Sequence, residues 1–154
     1  MYYQEITIRP YSQSDWTAIE KIHDSARKIE LSLANLSEAF LPLSIAAKRE
    51  NLMDYDGLFV AEINNQVVGF TACSNEELAW LYVAPEYMRK GVGRKLSLHA
   101  LNAFPAINYL EVLKGNEPAK KFYESIGFYV TSTENGKMPG NEDFSVEVYC
   151  MQRK

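Results

Sequence analysis

Short runs of apolar residues, bounded by turn residues, recur along the chain and predict strands. In Glu5 to Arg9, Ile6 and Ile8 alternate with polar residues, and the strand should stop at Pro10, which lacks a backbone donor. Further strands are predicted over residues 58–63, 67–73, 78–83, 109–113, 128–133 and 144–150. Asn64 and Asn65 tolerate the positive φ of a tight turn, so we expect the strands on either side of them to pair antiparallel.

Apolar residues at helical spacing occupy the segments between these strands. Ser12 and Asp15 resemble a capping box, and the helix that follows is predicted over 13–30. Its apolar face consists of Trp16, Ile19, Ile22, Ala26 and Ile29. Between residues 32 and 56, Pro42 interrupts a weaker pattern, which favours two short helices or one broken helix. Further helices are predicted over 91–103 and over 116–126, the second ending at Gly127 as its C-cap.

The order of these elements indicates an α/β fold. A strand, a helix, a strand and a helix succeed one another over 78–126, which implies a parallel pair of strands at the centre of the sheet. The last two strands are expected to be separated by a loop over 134–142 that contains Gly and Pro. A length of 154 residues suits one domain, 1–154.

Composition narrows the class of protein. Apolar types make up 47% and charged types 23%, as in ordinary folded domains. The 16 Lys and Arg against 20 Asp and Glu leave a net charge of −4, which argues against nucleic acid as a partner. Two cysteines suit a reducing cytoplasm and form neither a disulfide framework nor a metal site. The first eleven residues lack a signal-peptide pattern, and the longest apolar run, Leu78–Ala84, is too short to cross a membrane.

The most informative segment runs from Leu81 to Leu96, where a strand leads through a glycine-containing turn into a helix. Backbone N–H groups at a helix start point toward any anion, and Gly91 and Gly93 let a phosphate approach the main chain. Four cations surround this point: Arg89, Lys90, Arg94 and Lys95. A P-loop would need Lys followed by Ser or Thr, and a dinucleotide fingerprint would need Gly or Ala where Leu96 stands. The segment therefore predicts a site for a different phosphorylated cofactor.

Two motifs resemble those of the Gcn5-related N-acetyltransferases (GNAT family). Met88-Arg89-Lys90-Gly91-Val92-Gly93 is similar to the family's acyl-CoA signature of Gln or Arg, two residues, Gly, one residue, then Gly or Ala. Met88 departs from the family's Gln or Arg, and Arg89 is the nearest substitute. Residues 116–128 are similar to its Asn-x-x-Ala-x-x-Phe-Tyr-x-x-x-Gly-Phe segment. The resemblance covers residues 77–130.

The resemblance implies the GNAT fold, a mostly antiparallel sheet flanked by helices in which the parallel fourth and fifth strands splay apart. Acetyl-CoA would lie in the gap as a cosubstrate, with no metal. Its expected contacts are Leu81, Tyr82 and Val83 through their backbone, the cradle Arg89, Lys90, Gly91, Val92, Gly93 and Arg94, and Asn116. Asn116 is equally suited to be a helix N-cap, because it precedes Glu117 and Pro118.

The resemblance also implies catalytic groups. Tyr123 would be the general acid, since a phenol holds its proton at neutral pH, although packing in a core would also explain an aromatic residue there. Glu77 would be the base, with Glu76 and water as alternatives, and strand alternation would place Glu77 on a face with Ala79 and Leu81 unless a bulge intervenes. His23 and His99 are interpreted as packing or surface residues, and Cys73 and Cys150 as core residues.

These features favour an N-acetyltransferase that moves an acetyl group from acetyl-CoA to a primary amine by direct attack. A non-catalytic acyl-CoA-binding sensor module is the alternative, since the loop alone would satisfy it. The acceptor would be a small-molecule amine, or a lysine or N-terminal amine, with walls from residues 31–56 and 134–142. The negative charge that remains outside the cationic loop favours a cationic acceptor. Edge strands in this family often support dimers, so a homodimer is possible.

Overall fold

The computed structural model describes residues 5–154, which form seven strands and four α-helices. The strands are β1 (Thr7–Pro10), β2 (Gly57–Ile63), β3 (Gln66–Cys73), β4 (Leu78–Val83), β5 (Tyr109–Leu113), β6 (Phe128–Met138) and β7 (Asn141–Arg153). The helices are α1 (Trp16–Leu33), α2 (Leu43–Arg49), α3 (Val92–Ala103) and α4 (Glu117–Ser125). None of these helices is both long and apolar enough to cross a membrane.

The strands form two antiparallel ladders. One has the order β1-β2-β3-β4 and the other the order β5-β7-β6. Within residues 5–154, the two ladders are joined by a single isolated bridge, which is parallel and pairs Glu77 with Tyr109. Beyond that bridge, the outer edge of β4 has no hydrogen-bonded neighbour among the described strands.

Helices cover both faces of this arrangement. On one face, Ile19 and Ile22 of α1 and Leu43 of α2 pack in the same buried cluster as Phe70 and Trp80. On the other face, Val92 and Leu96 of α3 pack with Ala61 and Val68. Farther along that face, buried residues of α3 join β5 and β6 in a further cluster, which α4 covers through Ala119 and Tyr123. The predicted α/β class, an antiparallel sheet flanked by helices, is confirmed.

Local turn chemistry explains several element boundaries. Asn64 and Asn65 both have positive φ, 51° and 62°, and join β2 to β3 in the antiparallel hairpin that the sequence predicts. Gly127 follows α4 with a φ of 106°, a conformation that stops the helix and is strained for other residues. The backbone N–H of Ser12 donates to the Asp15 carboxylate at 2.8 Å, as in a capping box.

Three sequence-based expectations need correction. The loop expected over 134–142 is largely strand, because Pro139 and Gly140, with a φ of 75°, make a tight turn that lets Met138 pair with Asn141. The segment from 32 to 56, where two short helices or one broken helix were expected, contains one short α-helix, α2, between two single 3₁₀ turns. Ile29, expected on the buried face of α1, is 43% exposed.

A bulge in β4 changes the direction of the residues before it. Cys73 pairs with Leu78, but Ala72 pairs with Trp80, so Ala79 has no opposite residue on β3. Strand alternation is therefore broken at Ala79. Leu81 packs in the cluster beneath α3, whereas Ala79 packs in the cluster beneath α1 and α2. The expectation that Glu77, Ala79 and Leu81 share one face therefore fails at Leu81.

Candidate active site

The turn before α3 presents unpaired backbone donors in open space. Arg89 and Gly91 both have positive φ, 63° and 90°, and the first helical bond runs from the Lys95 N–H to the Gly91 carbonyl at 3.0 Å. The N–H groups of Val92, Gly93 and Arg94 precede that bond and lie at the positive end of the helix dipole. No atom lies within 4 Å of the position that a Cβ on Gly91 would occupy. This turn can therefore admit a phosphate group.

The side chains around this turn divide into exposed and packed groups. Arg89, Lys90, Arg94 and Lys95 are exposed, with the Lys90 ammonium 5.4 Å from the centre of the Tyr87 ring. Val92 is buried, so only its backbone faces the turn. A Cβ on Gly93 would lie 3.8 Å from each of Leu81, Val83 and Phe122. Gly93 thus leaves space between α3, β4 and α4.

The outer edge of β4 carries free backbone groups next to this turn. The Ala84 N–H donates to the Val68 carbonyl at 2.8 Å, so Ala84 and, by alternation, Tyr82 direct their backbone groups toward β3. The backbone N–H and carbonyl groups of Leu81 and Val83 then point the other way, toward the gap beside β5. Of the three residues expected to offer backbone groups, Leu81 and Val83 are placed to do so, whereas Tyr82 is not.

The start of α4 uses Asn116 as its cap. The Asn116 Oδ1 accepts a hydrogen bond from the Ala119 N–H at 3.3 Å, and the side chain is 8% exposed. The N-cap interpretation is therefore confirmed. The Asn116 amide nitrogen makes no hydrogen bond to the described residues and is the group left for a ligand that accepts hydrogen bonds.

Tyr123 lies on α4, where its ring packs against Phe122 and Phe128 at centroid distances of 5.1 and 6.2 Å. Burial raises the pKa of Tyr123 well above that of a free phenol, and the nearby charge of Glu30 adds to the rise. Glu30 belongs to α1 on the opposite face of the sheet. The Tyr123 phenol therefore lies within electrostatic range of that face and keeps its proton at neutral pH.

A cavity of about 490 Å³ lies on the α1 and α2 side, next to the gap between β4 and β5. Its walls include Ala39, Leu41 and Glu50 from one end of the chain and residues 134–139 from the other. Three aromatic residues from the middle of the chain also line the cavity: Tyr55, Trp80 and Tyr82. The cavity contains five carboxylates against two cations: Glu30, Glu50, Glu77, Glu111 and Glu134 against Arg27 and Lys137. It is therefore suited to a positively charged organic molecule.

The structure places the two neighbouring carboxylates that the sequence could not distinguish in different surroundings. Glu76 is exposed, whereas Glu77 is partly buried and lines the cavity with Ala79. Burial raises the pKa of Glu77, and repulsion from Glu111 raises it further. A carboxylate with a raised pKa is a better proton acceptor at neutral pH than an ordinary one.

A second group of polar residues lines the same cavity, and three of its members, Arg27, Glu30 and Glu50, were not singled out from the sequence. Arg27 Nη1 lies 2.5 Å from Glu30 Oε1, and the Tyr82 hydroxyl donates to the same oxygen at 2.9 Å. Burial is the main cause that raises the pKa of Glu50, to about 7. His23 is 2% exposed, packs against the rings of Trp80 and Tyr82, and has its pKa lowered by burial.

One signal in the sequence could have found part of this group. His23, Arg27 and Glu30 follow one another at helical spacing, beside the apolar face of α1. Titratable residues that continue a buried helical face indicate a polar site rather than a solvated surface. His99, by contrast, is exposed and meets the Phe59 ring edge to face, and Cys73 and Cys150 are buried free thiols, as expected.

Three comparisons with known proteins agree with this geometry. A family model described as an acetyltransferase (GNAT) domain matches residues 54–130, half of the chain. The peptidyl-lysine N-acetyltransferase YjaB of Escherichia coli (strain K12) is 39% identical over 67 residues, 44% of this chain and 45% of YjaB. The peptidyl-lysine N-acetyltransferase YiaC of the same strain is 33% identical over 73 residues, 47% of this chain and 49% of YiaC.

A solved structure extends the likeness to the whole fold. The crystal structure of a GCN5-related N-acetyltransferase from Rhodopseudomonas palustris matches with a TM-score of 0.76 at 19% identity. The match covers 100% of this chain and 98% of that one. In contrast, the chain spans about half the length of YjaB and YiaC, the curated relatives that it matches. The family model, which covers both glycines of the α3 turn and Tyr123, establishes the family: the chain belongs to the GNAT acetyltransferases.

Proposed function

We propose that this protein is an N-acetyltransferase that moves an acetyl group from acetyl-CoA to a primary amine by direct attack. The observation that carries the proposal is the arrangement at the gap between β4 and β5. A free strand edge and an open helix start lie at the gap, and a carboxylate-rich cavity adjoins it. Family membership makes this the first activity to test.

The chain offers a site that fits acetyl-CoA. The empty space at Gly91 and the three free N–H groups after it suit the pyrophosphate, with Arg89, Lys90 and Arg94 contributing charge. Leu81 and Val83 would bind the pantetheine arm through their backbone, as an added strand would be bound. The Asn116 amide nitrogen is a further candidate contact. When bound, acetyl-CoA supplies the thioester that a neutral amine attacks.

Two side chains are assigned the proton transfers. Glu77 takes a proton from the acceptor, directly or through water, and its raised pKa supports this role. Tyr123 gives its proton to the sulfur as the carbon–sulfur bond breaks, and its raised pKa means that it carries this proton at neutral pH. No third group has to hold the acetyl group, since the amine attacks the thioester itself. Among residues 5–154, no cluster of His, Cys, Asp and Glu could hold a metal ion.

The proposed acceptor is a cationic primary amine, either a small molecule or a lysine or N-terminal amine. The excess of carboxylates in the cavity supports a positive charge on the acceptor. Peptidyl-lysine, the substrate named for YjaB and YiaC, also carries such an amine. We further propose a single domain over 1–154 and a cytoplasmic location, which the two free thiols support.

Release of the CoA thiol tests the proposal. Acetyl-CoA is mixed with the protein and with n-butylamine, spermidine, a lysine-containing peptide or a peptide with a free N-terminus, and the free thiol is measured over time. Amine-dependent release supports the proposal. A protein that binds acetyl-CoA in calorimetry but releases no thiol with any amine would instead be a binding module.

A further inference from the structure

Glu30 is held in an asymmetric way that the proposed reaction does not yet explain. Both of its hydrogen bonds, from Arg27 and from the Tyr82 hydroxyl, end on Oε1. Oε2 receives no hydrogen bond from any residue in the range 5–154. A carboxylate has room for about four hydrogen bonds, so half of its accepting capacity is unused.

The surroundings of Glu30 place its carboxylate at the wall of the cavity. Its side chain is 26% exposed and lines the cavity beside Arg27 and Tyr82. Arg27, from the same helix, compensates its charge. The other titratable groups that face it are His23 of α1, Tyr82 of β4, Glu50 after α2 and Tyr123 of α4.

Glu30 lines the cavity and also acts on residues of two other elements. Its charge affects Tyr123 of α4, on the opposite face of the sheet, and Tyr82 of β4. A cation bound to Oε2 would therefore lie in the cavity, near the end where the attack is proposed to occur. The hydrogen bonds from Arg27 and Tyr82 to Oε1 favour this orientation of the carboxylate.

We propose that Glu30 is a specificity-determining residue that binds the positive charge of the acceptor amine through Oε2. This inference rests on the proposed acetyltransferase function and adds a residue to it. Glu30 binds and orients the acceptor, and Glu77 takes the proton. The site selects amines that arrive charged and disfavours neutral nucleophiles of the same size.

The test compares Glu30→Gln with Glu20→Gln, which removes a charge from the same helix outside the cavity. Gln keeps an oxygen for Arg27 and Tyr82, so the side chain can stay in place while the charge is lost. Two acceptors are used at neutral pH: n-butylamine, which is charged, and O-methylhydroxylamine, which is neutral. We expect Glu30→Gln to raise the KM for n-butylamine roughly tenfold or more, the scale of one lost hydrogen bond to a charged group.

In Glu30→Gln, the KM values for O-methylhydroxylamine and for acetyl-CoA should change by less than about twofold. In Glu20→Gln, the KM values for both acceptors and for acetyl-CoA should all change by less than about twofold. A purely structural role would raise the KM for both acceptors together, and that result overturns the proposal. An unchanged KM for n-butylamine overturns it as well. If Glu30→Gln does not fold, Glu30→Asp keeps the charge one methylene farther back and should raise only the KM for n-butylamine.

Failure of this inference can be distinguished from failure of the proposed function. A wild-type protein that binds no acetyl-CoA in calorimetry overturns both. If acetyl-CoA binds but neither acceptor turns over, n-butylamine is titrated onto the acetyl-CoA complex and followed by NMR chemical shifts. Saturable shifts that Glu30→Gln loses support the role of Glu30, and equal shifts in both proteins overturn it.

Discussion

Glu77 and Tyr109 form the single backbone bridge between β4 and β5 within residues 5–154. Each strand then continues with a different partner, β4 with β3 and β5 with β7. Glu77 is thus the last point of backbone pairing between the two ladders, and its carboxylate lines the cavity. The gap begins where the proposed base stands, so strand geometry and proton transfer are linked at one position.

The turn at Gly91 gives the first prediction. Gly91→Glu should abolish acetyl-CoA binding, because a carboxylate would enter the space where an anion is proposed to bind. Its φ of 90° is also unfavourable for a side chain, so Gly91→Asn is the matched control, since Asn tolerates positive φ best. Calorimetry should show that Gly91→Glu no longer binds acetyl-CoA and that Gly91→Asn still binds it, but more weakly. Equal affinity for wild type and Gly91→Glu would refute the cradle.

The hydroxyl of Tyr123 gives the second. Tyr123→Phe keeps the ring contacts with Phe122 and Phe128 but removes the proposed acid, so turnover should fall by roughly 10² or more. Acetyl-CoA affinity should stay nearly the same. Tyr129→Phe, on an exposed residue of β6, is the control and should match wild type in both measurements. Unaltered turnover, with acyl transfer shown to be rate-limiting, would return Tyr123 to a packing role.

A third prediction concerns the pH dependence that Glu77 should impose. A base works only when deprotonated, so the rate should fall as pH drops through the pKa of Glu77, which burial raises above the ordinary carboxylate range. Glu77→Gln should lower turnover and flatten this acidic limb, with partial recovery at high pH, where more amine is already neutral. Acetyl-CoA affinity should not change.

The exposed neighbour Glu76 provides the control for that experiment. Glu76→Gln should keep the wild-type profile. If the limb disappears in Glu76→Gln instead, the two carboxylates have exchanged roles. A limb that survives both substitutions would mean that water or another group deprotonates the amine.

The fourth prediction concerns stability and Glu50. The folded protein holds the Glu50 proton up to about pH 7, whereas the ordinary value of 4.5 applies to the unfolded chain. The folded state binds this proton more tightly, so the free energy of unfolding falls as pH rises from 4.5 to about 7. Glu50→Gln lacks this loss. Over this pH range, the free energy of unfolding of Glu50→Gln should rise by about 1–2 kcal/mol relative to that of wild type. This is less than the full pKa shift would give, because the side chain is partly exposed.

Urea unfolding at pH 4.5 and at pH 8 measures that difference. Glu38→Gln, on an exposed residue of the turn before α2, should show no such growth. A difference between Glu50→Gln and wild type that is equal at both pH values would mean that Glu50 titrates normally in the folded protein.

Local turn chemistry made several element boundaries predictable from the sequence. Asn64 and Asn65 mark their hairpin, and Gly127 ends its helix, because these residue types favour a positive φ. Gly91 ends the turn between β4 and α3 and Gly93 lies in the first turn of α3, in agreement with the strand, glycine-containing turn and helix that the sequence predicts. The roles of Tyr123 and Glu77 stay predictions, since no ligand contact tests them.

The acceptor side depends on contacts between distant residues, which a pattern along the chain does not record. Tyr82 and Glu30 are 52 positions apart and share a hydrogen bond. The bulge at Ala79 breaks the alternation that strand periodicity assumes, and so the face of Glu77 could not be derived. The turn at Pro139 and Gly140 also makes a distant contact, because Arg49 donates to the Gly140 carbonyl at 2.9 Å.

The position of the cavity walls along the chain has a consequence for how such a protein can diversify. The turn at Gly91, the free edge of β4 and Tyr123 all lie within residues 54–130, whereas Arg27, Glu50 and the β6–β7 hairpin come from the two ends. Substitutions at the ends can reshape the cavity while the middle of the chain is inherited unchanged. Proteins with the same central segment can therefore differ in the shape and charge of this cavity.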